Sequence, residues 1–453
     1  MCSDSVFPYI SPLFFYRTGF SAQNQSVFLI DFIKNNCFTY HLYCVMVMPS
    51  KKTHADQRRI TMKKHADIHT IAVHGGARKD DTFGAINQPI YMTSNYRIPT
   101  DGTPVDWSGT ESNIYARNRN INQMVLQEKL CALTGAEDCA VFASGVAALA
   151  GVFVPFLNSG DHAVISEVCY SATNLLFRKY LPEKYNIEVT FVDTTDTEAV
   201  RAAMRPNTRL VHVETPGNPT TGISDIEAIS KIAHASNALL SVDATFAGPV
   251  SLFPLKLGAD LEIHSMTKYI NGHGDSLGGC IMGKKELLAQ VKEIAMVNFG
   301  GILSPFNAWL VARGLVTLPL RMKQHSEVAL EVAKFLENCP AVRFIWYPGL
   351  DSHPQHKRAE ALLHGGYSGM IAFDIKGSEK QHQQFLDALT LITHAVSLGD
   401  VESLIVYYDK NSDKLPHYPE IFREGFFRFS IGLEAAEDLI ADIEAALKTC
   451  GLL

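Results

Sequence analysis

The chain predicts an α/β protein with a mostly parallel sheet, followed by a smaller C-terminal α/β domain. Three observations carry that expectation. Short runs rich in Val and Ile recur along the middle of the chain: CAVFAS, HAVISE, EVTFVD, RLVHVET, LLSVDAT, EIHSMT and GGCIMG. Stretches with helical spacing, such as TEAVRAAM and IEAISKIAHA, separate some of them. Strands that are apolar throughout and alternate with helices belong to a sheet covered on both faces. After about residue 305 the texture changes to a long helical stretch and a second group of apolar runs.

In chain order, INQMVLQEKLCALTG reads as a helix stopped by Gly135. The seven apolar runs follow. The stretch NAWLVARGLVTLPLRMKQHSEVALEVAKFLENC is helical, with a break at Pro319. It leads to VRFIWY, GMIAFDI, LIVYY and FFRFSIGL, strands of the smaller domain.

Residues 1–61 differ from the rest. Their aromatic residues follow no period, and the longest apolar run, LYCVMVM, ends at Pro49. A membrane-spanning helix needs about 20 apolar residues, and the order of features of a secretory signal is missing. We expect the ordered protein to begin near Met62, with residues 1–61 a disordered extension.

The 453 residues carry 40 Lys and Arg against 47 Asp and Glu, a net charge of −7. Bulk attraction for nucleic acid or an anionic membrane is therefore not expected. Nine scattered cysteines, an odd number without a C-x-x-C pair, argue against a disulfide framework or a zinc ribbon. They point to a reducing, cytoplasmic setting. No H-E-x-x-H spacing occurs among the 17 histidines, and no metal site is expected.

In such sheets ligands sit at the carboxyl ends of the strands. After CAVFA comes Ser144-Gly145-Val146, either a tight turn or a helix start that offers N–H groups to an anion. Tyr170 follows HAVISE, as a core or surface aromatic or as a ring that stacks on a flat ligand. Pro216-Gly217-Asn218-Pro219 follows RLVHVET and reads as a turn. Asp243 ends LLSVD, as an N-cap or as the buried partner of a protonated ring nitrogen. Ser265-Met266-Thr267-Lys268 follows EIH, with glycines close behind. A lysine there is a surface charge or, if buried, an amine nucleophile with a lowered pKa.

Together these residues resemble the pyridoxal-phosphate enzymes of cysteine and methionine metabolism, the trans-sulfuration family. HSMTKYINGHGD resembles its lysine motif, and ETPGNPTTGISDI, SVDATFAGP, ILSPFNAWLVARGLVTLPLRM, VSLGDVESLI and RFSIGLE resemble further motifs in the family's order. The resemblance spans roughly residues 70–450. It implies an aspartate-aminotransferase-like fold (fold type I) and pyridoxal 5'-phosphate as cofactor. It implies residues 62–120 as an N-terminal arm, 121–304 as the cofactor-binding domain and 305–453 as the C-terminal domain.

By the same resemblance Lys268 binds the cofactor covalently and moves protons, and Asp243 holds the ring nitrogen protonated. Tyr170 stacks on the ring and joins in proton transfer, while Asn218 contacts the ring hydroxyl. Gly145, Val146, Ser265 and Thr267 bind the phosphate. Tyr115 and Arg117, in IYARNRN, would complete that phosphate site in a neighbouring chain. The protein is then a homo-oligomer, a dimer of active-site partners assembling to a tetramer. Arg428 grips the substrate carboxylate, as a planar bidentate donor can, and Ser397 gives a main-chain contact.

Departures bear on the substrate. Asn120-Ile121-Asn122 stands where the family has Asn-Pro-Thr, and Val406-Tyr407-Tyr408 then DKNSDK replaces its His-Pro and Thr-His segment. Ala172 replaces the cysteine that methionine γ-lyases carry two residues after the stacking tyrosine. The expected activity is elimination at the β or γ carbon of a sulfur amino acid, like cystathionine γ-lyase. The alternatives are γ-replacement on an activated homoserine, or elimination from an amino acid without sulfur.

Overall fold

The computed structural model describes residues 66–77, 84–107 and 112–453. The expected extension, 1–61, lies outside the described residues. The seven apolar runs become β1 (Asp138–Phe142), β2 (His162–Ser166), β3 (Glu188–Val192), β4 (Thr208–Glu214), β5 (Leu239–Asp243), β6 (Leu261–Ser265) and β7 (Gly279–Gly283). They form one sheet in the order β1-β7-β6-β5-β4-β2-β3. All neighbours are parallel except at β7, which runs against both β1 and β6.

Alternation along each strand explains why most of the runs carry apolar residues on both faces. Cys139 and Val141 of β1, with Cys280 and Met282 of β7, face the helices Ile121–Thr134 and Pro305–Leu315. Ala140, Phe142 and Ile281 point the other way, onto helix Gly145–Phe156. Successive side chains go to opposite faces, and both faces are covered. Helix ends follow their local chemistry. Ser144 caps helix Gly145–Phe156 by accepting the Ala147 N–H at 3.1 Å. Gly135, at φ 79°, ends helix Ile121–Thr134 in the left-handed conformation that glycine adopts without strain.

The break expected at Pro319 exists. It falls at residues 316–317, and Pro319 stands in the first turn of the next helix, Leu318–Asn338, where a missing N–H leaves no intrahelical bond unmade. The Asn-Ile-Asn departure has a structural use. Asn122 accepts the Tyr91 N–H at 2.8 Å and donates to the Pro89 carbonyl at 2.9 Å, tying the preceding arm to the helix.

The second sheet contains β8 (Val342–Trp346), β9 (Met370–Ile375), β10 (Thr393–His394), β11 (Leu404–Tyr408) and β12 (Phe426–Ser430), in the order β10-β11-β12-β9-β8. Only the β10–β11 pair is parallel. Helices Leu318–Asn338, Glu379–Ala388 and Ala436–Thr449 close over one face. Among the described residues no helix is long and apolar enough to cross a membrane. The six described cysteines are all free.

Candidate active site

The carboxyl ends of β2, β4, β5 and β6 open into a cavity of about 550 Å³. It is lined by Gly145, Val146, Tyr170, Asn218, Asp243, Ser265, Thr267, Lys268, Ser397 and Arg428. Ten of the twelve expected site residues therefore meet in one place. Tyr115 and Arg117 do not line it. They lie before helix Ile121–Thr134, with the Arg117 guanidinium 5.2 Å from the Tyr115 ring centroid. A larger cavity of about 760 Å³, between that helix and residues 285–296, has none of the ten.

Lys268 stands three residues past the end of β6, in a loop held from behind. Arg321 donates to the Tyr269 carbonyl at 2.7 Å, the Ile270 carbonyl at 3.3 Å and the Gly314 carbonyl at 2.9 Å. The guanidinium comes so close that a Cβ on Gly272 would lie 1.8 Å from Arg321 Nη1, and Gly272 has φ +66°. Glycine meets both demands.

The Lys268 Nζ donates to Ser397 Oγ at 2.7 Å. Ser397 is itself at φ 88°, an uncommon region for a side-chain-bearing residue and a frequent one in binding sites. Its carbonyl accepts from Arg428 Nη2 at 2.9 Å, and Arg428 Nη1 donates to Asn218 Oδ1 at 3.1 Å. Burial foremost, and then the Arg428 charge, lower the Lys268 pKa to about 8, with Asp400 opposing. A free amine is the nucleophilic form. A pKa near 8 leaves about a tenth of it free at pH 7, against well under a thousandth at the ordinary lysine value. Covalent uptake of pyridoxal phosphate by apoprotein should therefore accelerate with pH up to about 8 and level off above it. Stopped-flow absorbance checks this; acceleration continuing past pH 10 would mean an ordinary lysine.

Asp243 ends β5. Its Oδ1 accepts the Thr245 N–H at 3.0 Å and the Thr245 hydroxyl at 2.6 Å, and that hydroxyl accepts the Ser265 N–H at 2.9 Å. Burial raises its pKa, while the Thr245 bonds and His264 pull it down. No basic side chain hydrogen-bonds it among the described residues. A buried carboxylate of this kind is stabilised by a cationic N–H.

At the start of helix Gly145–Phe156 the Ser144 side chain takes the Ala147 N–H. The Gly145 and Val146 N–H groups have no acceptor among the described residues. A Cβ on Gly145 would lie 2.9 Å from Ser265 Cβ and Oγ, so the turn closes on the hydroxyl of β6 only with glycine there. The Arg428 Nε is buried without a hydrogen-bond partner among the described residues. Two free N–H groups at a helix start, a buried carboxylate, an amine of lowered pKa and a buried guanidinium with a spare donor fit a phosphorylated pyridinium aldehyde and an amino-acid carboxylate.

Sequence reasoning missed Glu214, Thr245 and Tyr418, which also line the cavity, whereas Tyr408 and Lys414, from the departing segment, join them there. Glu214 and Thr245 lie inside motifs already singled out, ETPGNP and SVDATF. Tyr418 comes from a loop without a local signal. Among the described residues no group of three or more His, Cys, Asp or Glu is placed to hold a metal.

Fold and site together define a pyridoxal-phosphate-dependent enzyme of fold type I. The chain belongs to the family described as Cys/Met metabolism PLP-dependent enzyme, whose model matches residues 69–448. It is 51% identical over 381 residues to a canavanine γ-lyase from Rhizobium leguminosarum bv. trifolii (strain WSM2304), covering 83% of this chain and 95% of that protein. Identity to a canavanine γ-lyase from Pseudomonas canavaninivorans is 49%, with the same coverage. A cystathionine γ-lyase from Bacillus subtilis (strain 168) is 40% identical, covering 84% of this chain and 98% of that protein. The crystal structure of MetB from Corynebacterium glutamicum superposes with a TM-score of 0.78 at 37% identity, over 84% of this chain and 98% of that one. The protein is thus a pyridoxal-phosphate-dependent enzyme of the cysteine and methionine metabolism family.

Proposed function

We propose that this protein eliminates the oxygen-linked guanidine group from the γ carbon of canavanine. The observation that carries this reading is the 51% identity to a canavanine γ-lyase along almost its whole length, against 40% for a cystathionine γ-lyase. The first expectation, a sulfur amino acid, gives way to the non-sulfur alternative. The cavity wall supports it: Val406, Tyr408 and Tyr418 are among the lining residues, and the Tyr408 ring stacks on Phe426 at 4.9 Å. A flat guanidine group packs well on aromatic faces.

Pyridoxal phosphate, when bound, supplies an electron-accepting ring that stabilises negative charge on the substrate's carbon skeleton. The Gly145 and Val146 N–H groups, with the Ser265 and Thr267 hydroxyls, hold its phosphate, and Tyr115 and Arg117 of the partner subunit complete that grip. The working unit is accordingly a dimer. Asp243 holds the ring nitrogen's proton, Asn218 meets the ring hydroxyl and Tyr170 covers the ring face. Arg428 and the Ser397 main chain fix the α-carboxylate. The Lys268 amine takes the Cα proton and carries protons along the chain of carbons. The same amine then takes a Cβ proton; the Cβ–H electron pair forms a Cβ=Cγ double bond as the Cγ–O bond breaks, the Cγ–O pair leaves on oxygen, and the Tyr170 hydroxyl gives the departing hydroxyguanidine its proton.

Holoenzyme assayed against canavanine, cystathionine, methionine, and O-acetylhomoserine with sulfide tests the proposal. Canavanine should give the highest kcat/KM by at least about tenfold, the range in which a shaped pocket discriminates. A higher value for either sulfur substrate, or for the replacement reaction, would overturn it.

A further inference from the structure

Glu214 is the last residue of β4 and lies in register beside Asp243 at the end of β5. Two buried carboxylates side by side are costly, so the position needs a reason. Glu214 is 6% exposed, and no lysine, arginine or histidine hydrogen-bonds it among the described residues. Its two oxygens are used otherwise. Oε2 accepts the backbone N–H of Tyr170 at 2.7 Å, and Oε1 accepts the backbone N–H of Asn218 at 3.0 Å.

Those two N–H groups belong to different loops. Tyr170 follows β2 and opens the helix at Ser171, whereas Asn218 lies in the Thr215–Pro219 turn after β4. We infer that Glu214 is a positioning residue that clamps both loops, setting the ring of Tyr170 and the amide of Asn218 at their distances from the cofactor. A carboxylate suits this task because both of its oxygens accept; an amide has one acceptor and turns an N–H₂ against one of the two donors. Glu214 also stands, with Tyr418, between the catalytic cavity and an adjoining one of about 410 Å³, so the clamp forms part of the wall that separates them. The inference rests on the roles proposed above for Tyr170 and Asn218, but its test is independent of the substrate.

The test compares backbone amide exchange and the visible circular dichroism of the bound cofactor in wild-type and Glu214→Gln holoenzyme. In the wild type both the Tyr170 and the Asn218 amides should be protected. In the variant at least one should exchange at least about 10-fold faster, the cost of one lost buried hydrogen bond. The Val213 and Val242 amides of the sheet should be unchanged, and the cofactor's dichroism should fall. On the best substrate kcat should drop about 10- to 100-fold with KM nearly constant, as for a misplaced reacting group. Free exchange of either amide in the wild type overturns the inference without any variant, which covers a variant that does not fold. A Glu214→Gln protein with unchanged exchange and dichroism overturns it too, whether or not its activity falls.

Discussion

Replacing Lys268 with alanine yields a folded protein that takes up pyridoxal phosphate without a covalent bond and turns over canavanine at least about 10³-fold more slowly. The size follows from two losses at once. In the proposed mechanism the amine that binds the aldehyde is gone, and so is the base that takes the Cα proton, a contribution of about 10²- to 10⁴-fold by itself. Folding should survive. The loop after β6 is anchored through the Arg321 bonds to the Tyr269 and Ile270 carbonyls, and the lysine amine's hydrogen bond goes to Ser397, itself held by Arg428. Far-UV circular dichroism and thermal melting of the variant check the fold; absorbance before and after borohydride checks the bond. Turnover within tenfold of the wild type would take the lysine out of the mechanism.

Asp243→Asn should be the second-largest loss, about 10²- to 10³-fold in kcat, the range seen when a preorganised electrostatic partner is removed. The amide keeps the size of the carboxylate and can still accept the Thr245 hydroxyl and N–H, so the end of β5 holds its shape. What disappears is the negative charge proposed to keep the ring nitrogen protonated. Burial already raises the Asp243 pKa, so exchange for a neutral group should leave the melting temperature of the cofactor-free protein unchanged or raised. Steady-state kinetics and melting curves separate the two effects. A kcat above one third of the wild-type value would assign the ring-nitrogen contact elsewhere.

Strand positions were readable because a sheet covered on both faces favours apolar side chains on both sides of a strand, and most of β1 to β7 supply such a run. The strand ends that meet at the cavity were readable because chemistry-bearing residues interrupt those runs at one end: Tyr170 after β2, Asn218 after β4, Asp243 closing β5 and Lys268 after β6. The reversed direction of β7 was not, since a short apolar run such as GCIMG looks the same either way. Nor was β10, two residues with no pattern to detect. Glu214 sat within the ETPGNP motif, yet its work is done through backbone N–H groups that only the folded loops bring to it. Tyr418 reaches the cavity from 248 positions beyond Tyr170, a contact between distant segments that local spacing does not encode. The substrate was the least readable feature. Val406 and Tyr408 marked a departure from the family's usual motif without naming a leaving group.

The account depends on one amine. Reducing the holoenzyme with borohydride, digesting it and locating the pyridoxyl group by mass spectrometry tests it directly. A single modified peptide containing HSMTKYI, with the added mass on Lys268, is the expected result. A pyridoxyl group on another lysine, or none at all, would contradict it.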